Sequence, residues 1–576
     1  MSSTAAEPNS PGPATATARP AADSAEAVVE RAGYQPELRR SLRFFSMFAI
    51  AFSIISITTG IFLNYGFGLS YWGPASIWTW PIVAVGNMAI ALVVAELGTR
   101  IPLAGYAYQW SARLVNPTYG WFVGFAGLLY MAVGGGAIML GVASPLLLSE
   151  FNVSNPSAHL VLTVAIILMI LPVFINIISI QVAARVNNVA VFTEIVGTVV
   201  FGVLLFVLWG VHSKPTPYGA GILTSTASVN HNPTWYAFAL AGLLGAFTLV
   251  GFELAADMSE DAVNPRSSVP RGVLWAVAGS GVLGMIALIG FTVAIPSLKT
   301  VESSPLPLLA IAGYWLPSWL VKVFVAFVIF SMFAILVVGS GAQARLVYSL
   351  SRDNMLPFSG FLRKINVRSQ TPIVALLVFG VIDVGVMIYG YFQSSAFGTL
   401  VGATAIIPYI IYFLITVAYA IKRRTTDSIP GAFTLGRWAW PVIGFVLAYT
   451  VLIMVVLSFP TPFHWRRQGP GLRPGPGRAV VLRRPAVAAQ EGHGRSAAGR
   501  GPRRRGRVSP AAIPFLPNAA PDPVPHGWLD LVADGPRIGG LALAHRPAFG
   551  SGSVRLTWTP PRVAADLLSR FGYSSP

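Results

Sequence analysis

Phe44-Phe45-Ser46-Met47-Phe48-Ala49-Ile50-Ala51-Phe52-Ser53-Ile54-Ile55-Ser56-Ile57-Thr58-Thr59-Gly60-Ile61-Phe62-Leu63-Asn64 is the stretch on which the fold turns. It carries no charged residue and is long enough to cross a bilayer core, which takes roughly 20 residues of helix. Its middle, Ser56-Ile57-Thr58-Thr59-Gly60, is small, hydroxylated and β-branched and ends in glycine. Such a run favours a break, and lipid cannot satisfy the backbone groups that a break frees. Two readings compete. Small residues let helices pack closely, or a broken helix holds a ligand at mid-membrane with its free ends. The rest of the chain decides.

The 576 residues are 54% hydrophobic and 10% charged, with a mean hydropathy of +0.65. Soluble domains carry about 25% charged residues, so the chain reads as an all-α polytopic membrane protein. It has no cysteine, which excludes disulfides and thiolate chemistry. The seven His show no metal-ligand spacing, and no nucleotide-binding loop or catalytic triad is present. The expectation is therefore no enzyme, no metal and no cofactor. The net charge of +18 invites a nucleic-acid partner, but 17 Arg against 5 acids after residue 465 put +12 of it in the C-terminal stretch.

Residues 1–33 are rich in Ala, Pro, Ser, Thr and Glu and lack a signal-peptide core, which reads as a disordered cytoplasmic tail. The membrane domain is expected over 34–465 with eleven spans. After the first come 72–98, 119–148, 160–180, 189–211, 234–258, 272–296, 317–341, 372–391, 400–421 and 436–459. Arg31, Arg39, Arg40 and Arg43 precede the first span and set the N-terminus inside. With that orientation 18 Lys and Arg flank the spans on the inner side against 3 outside, which supports it, and the expected location is the plasma membrane, as a multi-pass chain.

The sixth span contains Ala246-Phe247-Thr248-Leu249-Val250-Gly251-Phe252-Glu253, with a glycine mid-span beside a carboxylate. Spans one and six are thus both interrupted, and they run in opposite senses. That is the mark of a 5+5 inverted-repeat fold with discontinuous helices 1 and 6 and a site between them. The broken-helix reading of the opening stretch now leads.

Four stretches carry a family resemblance. They are Phe52 to Phe62, and Ala95-Glu96-Leu97-Gly98 with Pro102, Ala104-Gly105 and Tyr108. They continue with Gly251-Phe252-Glu253 leading to Val263-Asn264-Pro265-Arg266 and Val269-Pro270-Arg271, and with Arg345 to Asp353 followed by Pro357 and Thr371-Pro372. Together and in this order they resemble the amino acid–polyamine–organocation (APC) permease superfamily, closest to its amino acid/choline and GABA permease branch. The resemblance covers about residues 34–460 and implies ten core helices, usually followed by two more. This chain offers one clear extra span.

The candidate substrate-binding residues are Ser56, Thr58, Thr59 and Gly60 in the first break and Phe247, Thr248, Val250 and Gly251 in the second. A half-helix beginning after Thr59 and Gly60, with Thr59 as its cap, presents N–H groups and a partial positive charge to a carboxylate. The resemblance agrees, since the matching residues of related permeases hold the substrate carboxylate. Carbonyls at Ser56, Phe247 and Val250 suit an ammonium group. Phe247 lies where related permeases place a gating aromatic, and core packing explains it equally well. Glu194, Glu253 and Asp383 lie within spans, where a carboxylate costs several kcal/mol unless it is protonated, paired or hydrated. Glu194 and Glu253 are the candidate coupling residues. Glu194 sits where, by resemblance, some proton-coupled relatives carry a lysine in place of a sodium ion, and Glu253 adjoins the second break. Asp383 is expected to contact a polar neighbour. Glu96 is expected to pair with Arg100, and Gly134-Gly135-Gly136 to serve close helix packing.

The reading is a secondary active transporter for amino acids or related amines such as GABA. The coupling ion is a proton rather than sodium, and the lipid bilayer is its surroundings. The alternative is a permease-like nutrient sensor that binds amino acids without carrying them. After Arg466 the character changes within one residue: the 17 Arg come with no Lys, amid Pro, Gly and Ala. An Arg-rich disordered tail for anionic lipid or RNA is one reading. A reading-frame shift near codon 466 is the favoured one, because the twelfth span implied by the resemblance is missing where it should begin.

Overall fold

The computed structural model describes residues 25–153, 155–211, 216–227, 234–304, 306–393, 404–423 and 433–458. The chain divides into two compact units, Met1–Leu472 and Arg473–Pro576. All described residues belong to the first, and the expectations for 466–576 and for most of 1–33 lie outside them.

Among the described residues the regular structure is helical, apart from one isolated parallel bridge between Leu42 and Ala262. Nine helical segments of the described residues are long and apolar enough to cross a membrane: Phe44–Trp72, Pro74–Arg100, Pro117–Glu150, Ala158–Ile178, Ile180–Gly210, Pro265–Val293, Ser318–Arg352, Ile373–Phe392 and Gly436–Ser458. Two shorter apolar helices, Trp235–Thr248 and Ile407–Lys422, fall where the sixth and tenth spans are expected. The protein is thus an all-α multi-pass membrane protein with the 5+5 inverted-repeat transporter fold, and its first and sixth spans are discontinuous.

Burial separates the spans. In the first, 78% of the most apolar window is buried, against 28% in the fourth, ninth and eleventh, so the broken helix is the axis and those three face lipid. The first span also runs further than its sequence promises. Its helix continues past Asn64 to Trp72 and turns at Gly73, so the second span starts beyond residue 72.

The end of the bundle that holds the start of the first span is closed by charge. Arg345 is 1% exposed and its guanidinium grips Asp261 at 2.6 and 3.2 Å. Arg352 pairs with Glu260 at 3.0 Å, and Glu260 also accepts the Ala104 N–H at 2.9 Å. The Asp261 carbonyl accepts the N–H groups of Ser41 and Leu42, which ties the segment before the first span to this cluster. Tyr34 lies 3.6 Å under the Arg352 guanidinium and donates to Asp353 at 2.7 Å. Burial, reinforced by that hydrogen bond, holds the Tyr34 hydroxyl above its ordinary pKa, so it stays a donor. Removing one partner of a buried pair leaves an uncompensated charge, which costs about 3–5 kcal/mol. Arg345→Met should therefore lower the melting temperature sharply in detergent, and adding Asp261→Leu should recover much of the loss. A single variant as stable as the parent would show that this pair does not hold the end closed.

Candidate functional site

The first break is made by one serine. Phe44–Ile55 and Ile57–Trp72 are separate helices, and Ser56 between them adopts φ 41° and ψ 82°. A left-handed conformation costs a non-glycine residue roughly 1–2 kcal/mol. Ser56 has compensation: its Oγ lies 2.8 Å from Thr59 Oγ1 and 2.8 Å from Ser331 Oγ of the eighth span, and it accepts the Thr59 N–H at 3.3 Å. Ser56, not Thr59, is therefore the cap, and the second half-helix starts at Ile57 rather than after Gly60. The correction has a simple cause. A serine caps as well as a threonine, and glycine at position 60 is required by packing instead.

That packing joins the two breaks. A Cβ on Gly60 would collide with the Thr248 side chain of the sixth span. The sixth span unwinds over 249–253, between Leu243–Thr248 and Leu254–Asp257. Gly251 makes the turn with φ 87°, and a Cβ there would strike Ile54. The freed backbone is held by neighbours. Asn87 donates to the Leu249 carbonyl at 2.7 Å, Tyr409 donates to the Ala246 carbonyl at 2.8 Å, and Tyr412 accepts the Gly251 N–H at 3.0 Å.

Thr59, Gly60, Phe247, Thr248 and Val250 share the wall of a cavity of about 440 Å³. Ser56, Thr58 and Gly251 do not line it. Phe247 is half-buried, with its side chain on the cavity wall. Gly134 and Gly135 of the third span also line the cavity, and Gly135 packs closely on Leu336 and Met169.

Thr58 points elsewhere. Its N–H donates to Glu194 Oε1 at 3.2 Å, and its hydroxyl bonds to Thr198. Glu194 and Thr198 are one turn apart on the fifth span, which widens into a π-helical turn over Val196–Val200. Such turns recur at functional sites. The hydroxyls of Ser56, Thr58 and Ser331 face the same carboxylate, which is 2% exposed. Glu194 thus occupies the positive end of the second half-helix, the place expected to be open for a ligand carboxylate.

Glu253 lies off the cavity wall. Tyr412 of the tenth span donates to its Oε2 at 2.5 Å, and the Tyr412 ring stacks on Phe252. Its carboxylate braces the second break through the same tyrosine that holds Gly251. Asp383 does contact a polar neighbour, Gln343 of the eighth span, whose Nε2 donates to Oδ1 at 3.0 Å. Both Asp383 and Gln343 line the cavity, which sequence reasoning did not foresee. Glu96 pairs with Arg100 at 2.6 Å and also accepts the Leu435 N–H at 2.9 Å, a helix end tied to the eleventh span.

A family model described as amino acid permease matches residues 42–468. The amino-acid permease BAT1 of Arabidopsis thaliana is 26% identical over 477 residues, covering 77% of this chain and 90% of its own. The GABA-specific permease of Saccharomyces cerevisiae is 25% identical over 457 residues, covering 75% and 78%. The thiamine transporter thi9 of Schizosaccharomyces pombe is 23% identical over 484 residues, covering 76% and 80%.

Proposed function

We propose that this chain, which belongs to the amino acid permease family, is a secondary active transporter. Its substrate is an amino acid or a related amine such as GABA. It works in the plasma membrane by proton symport, with its N-terminus in the cytoplasm. The observation that carries the reading is the meeting of two broken spans at one cavity, with Gly60 packed on Thr248 and a buried carboxylate at the back of the first break. A static core has no use for such a joint, because each break leaves backbone groups that other helices must satisfy.

The substrate carboxylate docks at the start of the second half of the first span, beside Thr59 and Gly60. There the helix dipole favours an anion once Glu194, which holds the Thr58 N–H, is neutralised. The ammonium group meets the carbonyls of Phe247 and Val250 and the Phe247 ring. Coupling follows from a shared helix end. While Glu194 is ionised, it holds the Thr58 N–H and neutralises the partial positive charge. A proton on Glu194 weakens that hold and leaves the field to the substrate carboxylate. Proton and substrate then bind more tightly together than apart, which is the requirement of symport. The names of relatives favour amino acids and GABA as the first compounds to try.

The test is uptake into proteoliposomes carrying an inward proton gradient. Concentration of a labelled amino acid or of GABA, collapsing when the gradient is dissipated, is the expected result. Saturable binding without uptake would replace the transporter with the sensor.

A further inference from the structure

We infer that Asp383, held by Gln343, is a specificity-determining residue of the cavity that takes a cationic group of the substrate remote from its carboxylate. The inference rests on the transporter reading above and narrows its substrate class.

The argument begins with the lining. Among the described residues the wall is made largely of Ile, Leu, Met, Val, Ala and Gly, and Asp383 is its one carboxylate, with no Lys or Arg lining it. Asp383 sits in the middle of the ninth span, Ile373–Phe392, otherwise apolar and largely lipid-facing. A carboxylate at such depth is costly and is kept where it faces a cavity or a partner. Asp383 has both. Gln343 fixes Oδ1, and among the described residues Gln343 is its one hydrogen-bond partner, which leaves Oδ2 for a ligand. An amide cannot neutralise a carboxylate, so Asp383 lacks a counter-charge that a cationic ligand would supply.

The cavity then has two unlike ends. The first break is the end for an anion. The other is displaced along the eighth span, where Ile335, Leu336, Gly339, Ser340 and Gln343 form the lining stripe. Ile335 lies one turn from Ser331, which bonds the break at Ser56, and Gln343 lies eight residues beyond Ile335 on the same helix. At about 1.5 Å per residue that is roughly 12 Å along the axis. A short α-amino acid cannot reach both ends. A molecule with its amine on a polymethylene chain can, with its methylenes against the apolar wall. Lysine and 6-aminohexanoate have this form, and alanine does not.

The experiment measures competition against bound or transported label in the full chain by alanine, GABA, 6-aminohexanoate, lysine and putrescine. The parent protein should prefer lysine and 6-aminohexanoate to alanine, and putrescine should be weak for want of a carboxylate. Asp383→Asn should cut affinity for the long-chain amines about 30-fold or more, as expected when one member of a desolvated charge pair is removed, and leave alanine unchanged. Asp383→Glu should restore the preference, which separates recognition from a structural role, and a melting curve confirms folding of each variant. Equal loss for every compound in folded protein, loss of gradient dependence alone, or unchanged selectivity would each overturn the inference while leaving the transporter standing. No binding or uptake of any of the five by the parent protein would instead sink the transporter reading, and this inference with it.

Discussion

Gly60→Leu should abolish uptake in a protein that still inserts and folds. A Cβ at this position already runs into Thr248, so the two half-helices must separate before any substrate is considered. A leucine then adds its bulk to the wall of the cavity between them. Overpacking of this kind typically costs about 1–3 kcal/mol, which a membrane domain of this size survives, whereas a blocked site passes nothing. Helix propensity is not the cause, because leucine is the better helix former by roughly 1 kcal/mol. The collision itself can be tested. Gly60→Ala should reduce uptake strongly, and Gly60→Ala combined with Thr248→Gly should restore part of it by removing the group that is struck. Normal uptake by Gly60→Leu would mean that the joint between the first and sixth spans is not the transport site.

The same glycine shows what the sequence could and could not say. Ser-Ile-Thr-Thr-Gly in an uncharged run is legible as a break, and an opposed break five spans later is legible as an inverted repeat. Glycine is read by default as the breaker, however, and the structure gives that part to Ser56, whose left-handed turn is held by Ser331 of the eighth span. Gly60 is there because Thr248 is close, which no local rule contains. Distance in sequence hid the rest. Thr58 and Glu194 are 136 residues apart, so their hydrogen bond at the first break was out of reach of any motif. Asp383 was conspicuous as an intramembrane carboxylate, but its place on the cavity wall depends on how the ninth span packs on the eighth. Glu253, by contrast, sits next to its break in sequence and looked like a site residue. What the sequence could not show is its partner, Tyr412 of the tenth span.

Glu194→Gln should uncouple transport without stopping it. Glutamine keeps the shape and the hydrogen bond from the Thr58 N–H but carries no charge, so it stands permanently in the protonated state. The helix end is then always open to the substrate carboxylate. A charge at a helix N-terminus is worth about 0.3–1 kcal/mol, and up to about 2 in partly buried geometries. Substrate affinity of the parent should accordingly rise as pH falls, by a few-fold and at most roughly 30-fold, and affinity of the variant should be high and flat with pH. With no proton to release, the variant loses the link between the gradient and the return of the empty site. Concentrative uptake driven by a pH gradient should vanish, whereas exchange of internal for external substrate should persist at the parent rate or faster. The pairing of the two results carries the argument. Loss of both uptake and exchange would make Glu194 a structural residue of the first break. Retention of gradient-driven uptake would remove it from coupling and turn attention to Glu253, a second carboxylate buried beside a broken helix.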